Sequence, residues 1–149
     1  MTEPIPVDVR LALAELAARY AVSVDLRDFD RLRGVFVPEC RLDTGRAVRD
    51  GIEAVVAAMQ GLHRYEATNH VLGQQLLESD GADVRGITYC TAHHLLVDDV
   101  EDADGDGDGG RTDTVMHIRY HDRFVSTGAG WRIATRRLEV VWTDRRPVH

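Results

Sequence analysis

The chain of 149 residues contains little cysteine and lacks any long apolar run. Its two cysteines, Cys40 and Cys90, stand far apart, without the close spacing of zinc-binding thiols. We interpret both as buried free thiols rather than as a disulfide. No apolar segment approaches the roughly 20 residues that cross a bilayer, and the N-terminus lacks the basic and apolar regions of a signal peptide. The sequence therefore predicts a soluble, cytoplasmic protein that does not interact with membranes.

The chain also lacks an excess of positive charge. Its 25 acidic residues outnumber its 18 arginines, which gives a formal net charge of −7. Because the acidic residues are spread along the chain, no basic surface that would bind phosphate backbones is expected, and nucleic acid is excluded as a partner. A chain of this length normally forms one core. We therefore expect a single domain over residues 1–149.

The first half of the chain has the patterns of helices. Apolar residues recur at mostly helical spacing from Val9 to Val24, with charged residues between them, which predicts an amphipathic helix. Asp28 is placed to cap a short second helix that Pro38 prevents from continuing. Residues 41–45 are typical of a short strand. A third helix is predicted from the capping residue Asp50 onward, closing near Gly61.

From Ala67 onward the pattern changes to that of strands. The segments are rich in Val, Ile, Thr, Tyr and His, and turn-forming residues separate them. Helices followed by antiparallel strands indicate an α+β fold with the helices packed on one face of a curved sheet. The predicted strands are residues 67–78, 83–98, 113–126 and 130–142.

Alternation along the strands predicts which side chains face the helices. In residues 115–124 the inner face is expected to carry Met116, Ile118, Tyr120 and Phe124, and the outer face His117, Arg119, His121 and Arg123. The preceding strand carries mostly small residues between Gly86 and His94 on one side, which leaves space above the sheet for a helix or a ligand. His94 is expected to face that space, and His93 to point away from it.

Three segments together resemble one known family. They are residues 20–32, the strand with Asn69 and His70, and the closing residues 130–133. In order and spacing they are similar to the SnoaL-like branch of the nuclear transport factor 2-like superfamily, which contains scytalone dehydratase, bile-acid dehydratase and hexachlorocyclohexane dehydrochlorinase. The resemblance extends from Val9 to Trp142.

The resemblance implies both a fold and a site. The fold is a cone-shaped barrel, in which a strongly curved mixed sheet wraps around three helices and encloses one deep, largely apolar pocket. In eliminating members an Asp at the position of Asp25 orients a His at the position of His70, which removes a proton next to an activating group. Tyr20 corresponds to a pocket tyrosine of the bile-acid type, and His94 to a second pocket histidine of the scytalone type. Scytalone itself is a poor candidate substrate, because Val24 stands where the scytalone type has a tyrosine.

These residues suit proton abstraction next to a carbonyl. Such a C–H is too weak an acid for water, so a base must work together with a donor that stabilises the enolate oxygen. His70 fits the base and Asp25 its orienting partner, and Tyr20, Tyr120 or His94 can donate. The leading hypothesis is a cofactor-free lyase or isomerase, of dehydratase or cyclase type, acting on a hydrophobic polyketide-, steroid- or aromatic-like compound. Neither a cofactor nor a metal is required. The residues assigned to substrate binding are Tyr120, Ile118 and Phe124.

Other interpretations stay open at this point. His70 can be a structural histidine, Asp25 a cap for the next helix, and Tyr20 and Tyr120 members of the core. The fold also serves as a scaffold for non-catalytic ligand binding or assembly. A third possibility is the small subunit of a ring-hydroxylating dioxygenase. Arg136 and Arg137 lie on opposite sides of the last strand, and we favour two solvated arginines.

Two surface features complete the predictions. Residues 98–112 are expected to form a flexible, acidic hairpin loop. From Asp102 to Asp113 its acidic spacing imitates a calcium-binding loop, but an Asp replaces the terminal Glu and strands flank it, so calcium is not expected. The mixed outer row from His117 to Arg123 predicts a homodimer or homotrimer formed through the convex face of the sheet.

Overall fold

The computed structural model describes residues 4–97 and 110–149. Two α-helices and two short 3₁₀ helices precede or separate the strands of a single sheet. In chain order the elements are α1 (Val7–Asp25), a first 3₁₀ helix (Phe29–Gly34), β1 (Phe36–Asp43), β2 (Val48–Asp50), α2 (Ile52–Met59), a second 3₁₀ helix (Gln60–Arg64), β3 (Ala67–Asp80), β4 (Asp83–Val97), β5 (Arg111–Thr127) and β6 (Gly130–Val148).

The sheet has six strands in the order β2-β1-β6-β5-β4-β3. β1 runs parallel to β6, and every other neighbouring pair is antiparallel. Irregular register interrupts β3 after Leu72, and it interrupts the β5–β6 pairing after His117 and after Arg123. Because such irregularities bend a strand and increase its twist, they curve the sheet around its inner face. The predicted α+β fold with a curved mixed sheet is confirmed.

Helix α1 fills the inside of this curve. Its buried stripe includes Leu13, Leu16, Tyr20 and Val24, spaced three or four residues apart as a helix requires. The helix packs mainly against β3 and also against β6. This packing brings the end of α1, including its last residue Asp25, beside β3.

The predicted helix caps are wrong in detail. The second helix is a 3₁₀ helix, and within the described part of the chain Asp28 makes no side-chain capping bond but pairs with Arg31 at 2.7 Å. The N-cap of α2 is Gly51, while Asp50 belongs to β2 and pairs with Arg41 across the strands at 2.9 Å. In both places an arginine takes the carboxylate that the sequence pattern assigns to the helix end.

Several strand boundaries differ from the prediction. β1 begins at Phe36, well before the strand predicted at 41–45, and Pro38 lies within it. β6 continues to Val148. Most of the predicted acidic loop, residues 98–109 with the calcium-like spacing, lies outside the described residues, and β5 already begins at Arg111.

The two faces of β5 are as the alternation predicts. Ile118, Tyr120 and Phe124 are buried in the core. On the outer face His121 contacts Glu139 at 2.7 Å. Cys40 and Cys90 are both free and buried, which confirms their assignment as thiols of the interior. No helix in residues 4–97 or 110–149 is long and apolar enough to cross a membrane.

The space predicted above the small residues of β4 is partly filled. A Cβ added at Gly86 would lie 2.8 Å from Cδ2 of Leu77 and 2.9 Å from Cε2 of Phe124. Both side chains are buried, so they occupy the space that the missing side chain leaves. Open space for a ligand is therefore not found at this end of β4.

This close packing gives a test of the core. We expect Gly86→Ala to lower the free energy of unfolding by about 1–3 kcal/mol, because Leu77 and Phe124 must both move within a packed interior. Gly34→Ala is the matched control, since no described atom lies within 4 Å of the added Cβ. Urea unfolding of both variants measures the difference. Equal stability of the two would contradict this account of the packing.

Candidate active site

Asp25 and His70 meet where the end of α1 lies beside β3. Nδ1 of His70 lies 2.7 Å from Oδ1 of Asp25. The backbone N–H of His70 donates to the other carboxylate oxygen, Oδ2, at 2.8 Å. The contact that the sequence hypothesis requires is thus present between two residues far apart in the chain.

Three donors converge on the Asp25 carboxylate. Besides the two groups of His70, the hydroxyl of Thr68 donates to Oδ1 at 2.9 Å. Burial alone would raise the pKa of Asp25, but the hydrogen bonds from His70 and Thr68 outweigh it and the pKa is lowered. Asp25 is therefore ionised at neutral pH.

The ionised carboxylate selects the tautomer of His70. A carboxylate only accepts hydrogen bonds, so Nδ1 of the imidazole carries the proton that it shares with Asp25. In neutral His70 the lone pair is then on Nε2. The side chain is only 6% exposed, so this nitrogen lies in a largely dry environment.

A buried cationic and aromatic cluster adjoins His70. The Tyr20 ring lies 6.4 Å from the His70 ring and 5.7 Å from the Tyr120 ring, centroid to centroid. The guanidinium carbon of Arg136 lies 4.3 Å from the centroid of Tyr20 and 4.1 Å from that of Tyr120. Burial raises the pKa of Tyr20, although Arg136 opposes the shift, and burial also raises the pKa of Tyr120. Both hydroxyl groups therefore keep their protons and can donate.

Arg136 is the main residue that the sequence prediction misplaced. It is 1% exposed rather than solvated, and its Nε and Nη2 each donate to Asp122 at 2.8 Å. Burial alone would lower the pKa of Arg136, but the Asp122 carboxylate more than offsets this and the pKa is raised. No described residue accepts a hydrogen bond from Nη1. Arg137, on the opposite face, is exposed as predicted.

A signal for the burial of Arg136 was available in the sequence. Asp122 falls on the inner stripe of β5, between Tyr120 and Phe124, where an unpaired carboxylate would be very costly. An acid on an apolar face indicates that a cation from a neighbouring strand faces the same space. The β5–β6 register places Asp122 directly opposite Arg136.

His94 on β4 lies beside His70. Its ring is 5.8 Å from the ring of His70 and 5.0 Å from that of Tyr65, a half-buried residue that sequence reasoning did not single out. Nδ1 of His94 donates to the carbonyl oxygen of Thr114 at 3.3 Å. Burial lowers the pKa of His94, and His70 lowers it further. The neutral ring thus presents Nε2 as an acceptor, and this nitrogen donates only when the ring is protonated.

The structure gathers some of the predicted site residues but not all of them. Tyr20 and His94 lie beside His70, and Tyr120 lies beside Tyr20. Phe124 lies about 13 Å farther along β5 than Tyr120, at four residues of extended chain, and both Ile118 and Phe124 belong to the hydrophobic core. Substrate binding by Tyr120, Ile118 and Phe124 stays a prediction.

Two cavities in the described part of the chain lie elsewhere. A groove of about 240 Å³ on the outer face of the sheet is lined in part by Val71, Tyr89 and Trp142. A cleft of about 430 Å³ lies between α1 and the first 3₁₀ helix. Neither is lined by Asp25 or His70. Tyr20, Tyr120 and His94 in the interior near His70 are buried. The deep apolar pocket that the resemblance implies stays a prediction.

The donor groups do not suggest a metal centre. In residues 4–97 and 110–149, no group of three or more His, Cys, Asp or Glu side chains is arranged to hold a metal ion. The arrangement can orient an imidazole, hold its proton, and present buried donors beside it. Those are the requirements of general acid–base chemistry.

Comparison by sequence gives one family. Residues 6–137 match the model of the SnoaL-like domain. No curated protein matches the sequence.

Comparison with solved structures gives the same fold. A protein from Kribbella flavida, Kfla4162, is 24% identical, with 92% of this chain and 93% of that chain covered and a TM-score of 0.78. A candidate scytalone dehydratase from Novosphingobium aromaticivorans is 16% identical over 97% and 94% of the two chains, with a TM-score of 0.75. The hexachlorocyclohexane dehydrochlorinase LinA-type3 from Novosphingobium barchaimii is 16% identical over 95% and 91%, with a TM-score of 0.76.

The lowered pKa of Asp25 predicts how stability depends on pH. Its contribution is present above the unfolded value of about 3.9 and is lost as the pH falls through the lower folded pKa. We therefore expect the difference in unfolding free energy between wild type and Asp25→Asn to shrink below about pH 4. Urea unfolding between about pH 2 and 6, a range that includes the unfolded pKa of an aspartate, measures this difference in free energy. Asp30→Asn is the control, because the Asp30 side chain is 84% exposed. A difference that grew toward low pH would contradict the assignment.

Proposed function

The chain belongs to the SnoaL-like domain family, and from this membership and the geometry of its Asp–His pair we propose that it is a cofactor-independent lyase or isomerase of dehydratase or cyclase type. Its substrate would be a hydrophobic carbonyl compound of polyketide-, steroid- or aromatic-like structure. The observation that carries the proposal is the 2.7 Å contact between Nδ1 of His70 and Oδ1 of the ionised Asp25.

The first step is a proton transfer. Nε2 of neutral His70 takes a proton from the carbon next to the carbonyl. The C–H electron pair forms a C=C bond, and the π pair of the carbonyl moves onto its oxygen to give an enolate. His70 becomes an imidazolium, which the negative charge of Asp25 stabilises. Because the site is buried, this interaction is stronger than it would be in water.

The enolate oxygen needs a donor, and we assign this role to Arg136, which lies against the Tyr20 ring beside His70. Its Nη1 is buried and has no acceptor among the described residues, so an incoming oxygen would satisfy it. The protonated hydroxyls of Tyr20 and Tyr120 lie in the same cluster and can share this role. Asp122 already neutralises Arg136, so the cluster suits a neutral carbonyl oxygen better than a carboxylate, which would bring an uncompensated charge into the interior.

The second step distinguishes the reaction types. In a dehydration an electron pair of the enolate oxygen re-forms the carbonyl and the enolate C=C pair forms the new C=C bond. The C–O bond to the next carbon breaks, and the hydroxyl leaves with the proton held by His70, as water. In an isomerisation the same proton returns to a different carbon. In a cyclisation the enolate carbon attacks a second carbonyl. All three use the same base, and the shape of the bound substrate selects among them.

The names of the structural relatives agree with an elimination. Dehydratases and dehydrochlorinases both remove a proton from one carbon and a leaving group from the next, and each name occurs among the chains similar in fold. A non-catalytic ligand-binding or assembly module would not need a carboxylate at hydrogen-bond distance from His70.

The cytoplasmic location predicted from the sequence stays a prediction.

Substitution of the pair tests the catalytic proposal. We expect His70→Ala and Asp25→Asn each to lower kcat by about 10²–10⁴-fold while the protein stays folded, because the base or its orienting partner is lost. The measurement is absorbance of the conjugated product from a panel of hydrophobic β-hydroxyketones. His63→Ala is the matched control, since His63 lies exposed on the second 3₁₀ helix. Wild-type turnover in both variants would eliminate the proposal.

We also propose that the chain forms a homodimer or homotrimer through the outer face of the sheet. Apolar side chains are exposed there, among them Val71, Tyr89 and Trp142, and they line the outer groove. Association of a second copy would remove this surface from water.

The oligomer proposal is tested at one residue. We expect Trp142→Arg to shift the protein toward monomer in sedimentation equilibrium at micromolar concentration, because Trp142 is 54% exposed on the proposed interface. Leu11→Arg is the control, since Leu11 is 66% exposed on α1, away from the sheet's outer face. A monomeric wild type, or equal behaviour of both variants, would exclude this interface.

A further inference from the structure

Arg27 adopts the left-handed backbone conformation, which is unfavourable for residues other than glycine. Its φ is 60°, and it is the one non-glycine residue with positive φ in residues 4–97 and 110–149. It directly follows the C-cap of α1, Leu26. Its N–H donates to the carbonyl of Val24 at 3.1 Å, and the N–H of Asp28 donates to that of Ser23 at 2.9 Å. This pair of hydrogen bonds ends many helices, and the residue in the left-handed conformation is usually glycine.

The arginine side chain explains why glycine is absent. Nη1 of Arg27 turns back over the end of α1 and donates to the carbonyl of Val24 at 2.9 Å. The same nitrogen donates to Oγ1 of Thr68 on β3 at 2.7 Å. This second hydrogen bond joins the end of α1 to Thr68, which itself contacts Asp25 of the candidate active site.

The contact between Arg27 and Thr68 fixes the direction of a hydrogen bond. The Thr68 hydroxyl has one proton, so it can donate one hydrogen bond and can also accept hydrogen bonds from its neighbours. A guanidinium only donates, so Oγ1 must accept from Arg27, and its own proton is directed to Oδ1 of Asp25 at 2.9 Å. Thr68 is buried, which leaves its hydroxyl few alternative partners.

We propose that Arg27 is a positioning residue that acts through Thr68 to hold the Asp25 carboxylate in the orientation that keeps Nδ1 of His70 protonated and Nε2 free. This inference rests on the proposed function, because it assigns Arg27 a task for the same proton transfer. The strained backbone of Arg27 is retained because glycine, which fits the conformation, has no side chain to reach Thr68.

Among the described residues, His70 and Thr68 contact Asp25 from β3, and Arg27 approaches from the turn that follows α1. On β4 the Cys90 thiol interacts electrostatically with Asp25, and the His94 ring lies beside that of His70. A change in Arg27 should therefore reach the titration of Asp25 by way of Thr68.

The test is a double-mutant cycle read by NMR. We expect Thr68→Val to move the ¹³C carboxyl titration midpoint of Asp25 to higher pH, because the hydrogen bond that helps lower its pKa is lost. Arg27→Met should move the midpoint in the same direction. If Arg27 acts through Thr68, the double variant should show the midpoint of Thr68→Val alone.

Two controls separate positioning from helix capping. Thr68→Ser should keep the wild-type midpoint, since its hydroxyl can still donate. Arg27→Gly should shift the midpoint as Arg27→Met does without lowering the thermal unfolding temperature, because glycine relieves the strained backbone. It also serves as the second variant if Arg27→Met does not fold.

The outcomes are distinguishable from a failure of the proposed function. An unchanged Asp25 midpoint in Arg27→Met and Arg27→Gly, or additive shifts in the double variant, would overturn the role of Arg27. The NMR readout does not depend on turnover. If the shifts occur as expected but the wild type converts no member of the β-hydroxyketone panel, the hydrogen-bond chain stands and the proposed reaction does not.

Discussion

The contact between a carboxylate at the end of a helix and an imidazole on a strand organises this molecule. Asp25 accepts hydrogen bonds from both the side chain and the backbone of His70, so one side chain joins α1 to β3 and also sets the orientation of the ring. The bonds are effective because the helix packs into the curved sheet and excludes water. Any movement of α1 relative to β3 would therefore alter both the packing and the orientation of the His70 ring. Fold and candidate chemistry depend on the same few atoms.

Much of this arrangement could be predicted from the sequence. Periodicity located α1 and the four long strands, because burial of one face imposes a regular spacing on apolar residues. The resemblance placed Asp25 beside His70, residues that periodicity alone cannot connect. The β5 alternation also separated Tyr120 inside from His121 outside.

Other features could not be predicted because they depend on pairing between distant segments. Asp122 on the inner stripe indicates a buried cation, but the identity of that cation follows from the register that places Arg136 opposite it, and a single strand does not reveal that register. The cap predicted at Asp50 was wrong because its carboxylate pairs with Arg41 on the neighbouring strand. The cap predicted at Asp28 was wrong for a local reason, since Arg31, three residues along the chain, takes that carboxylate. Likewise, the sequence around Arg27 gives no sign of a left-handed backbone, since arginine is not the residue that usually adopts it.

The ion pair between Arg136 and Asp122 also has a consequence for how the strands align during folding. Side chains alternate between the faces of a sheet, so a slip of one residue between β5 and β6 would turn one of the two charges outward and leave the other alone in the apolar interior. A solitary buried charge costs several kcal/mol, about as much as many domains have in total stability. Misaligned hairpins are thus strongly disfavoured, and the charged pair adds to the apolar pattern in selecting one alignment.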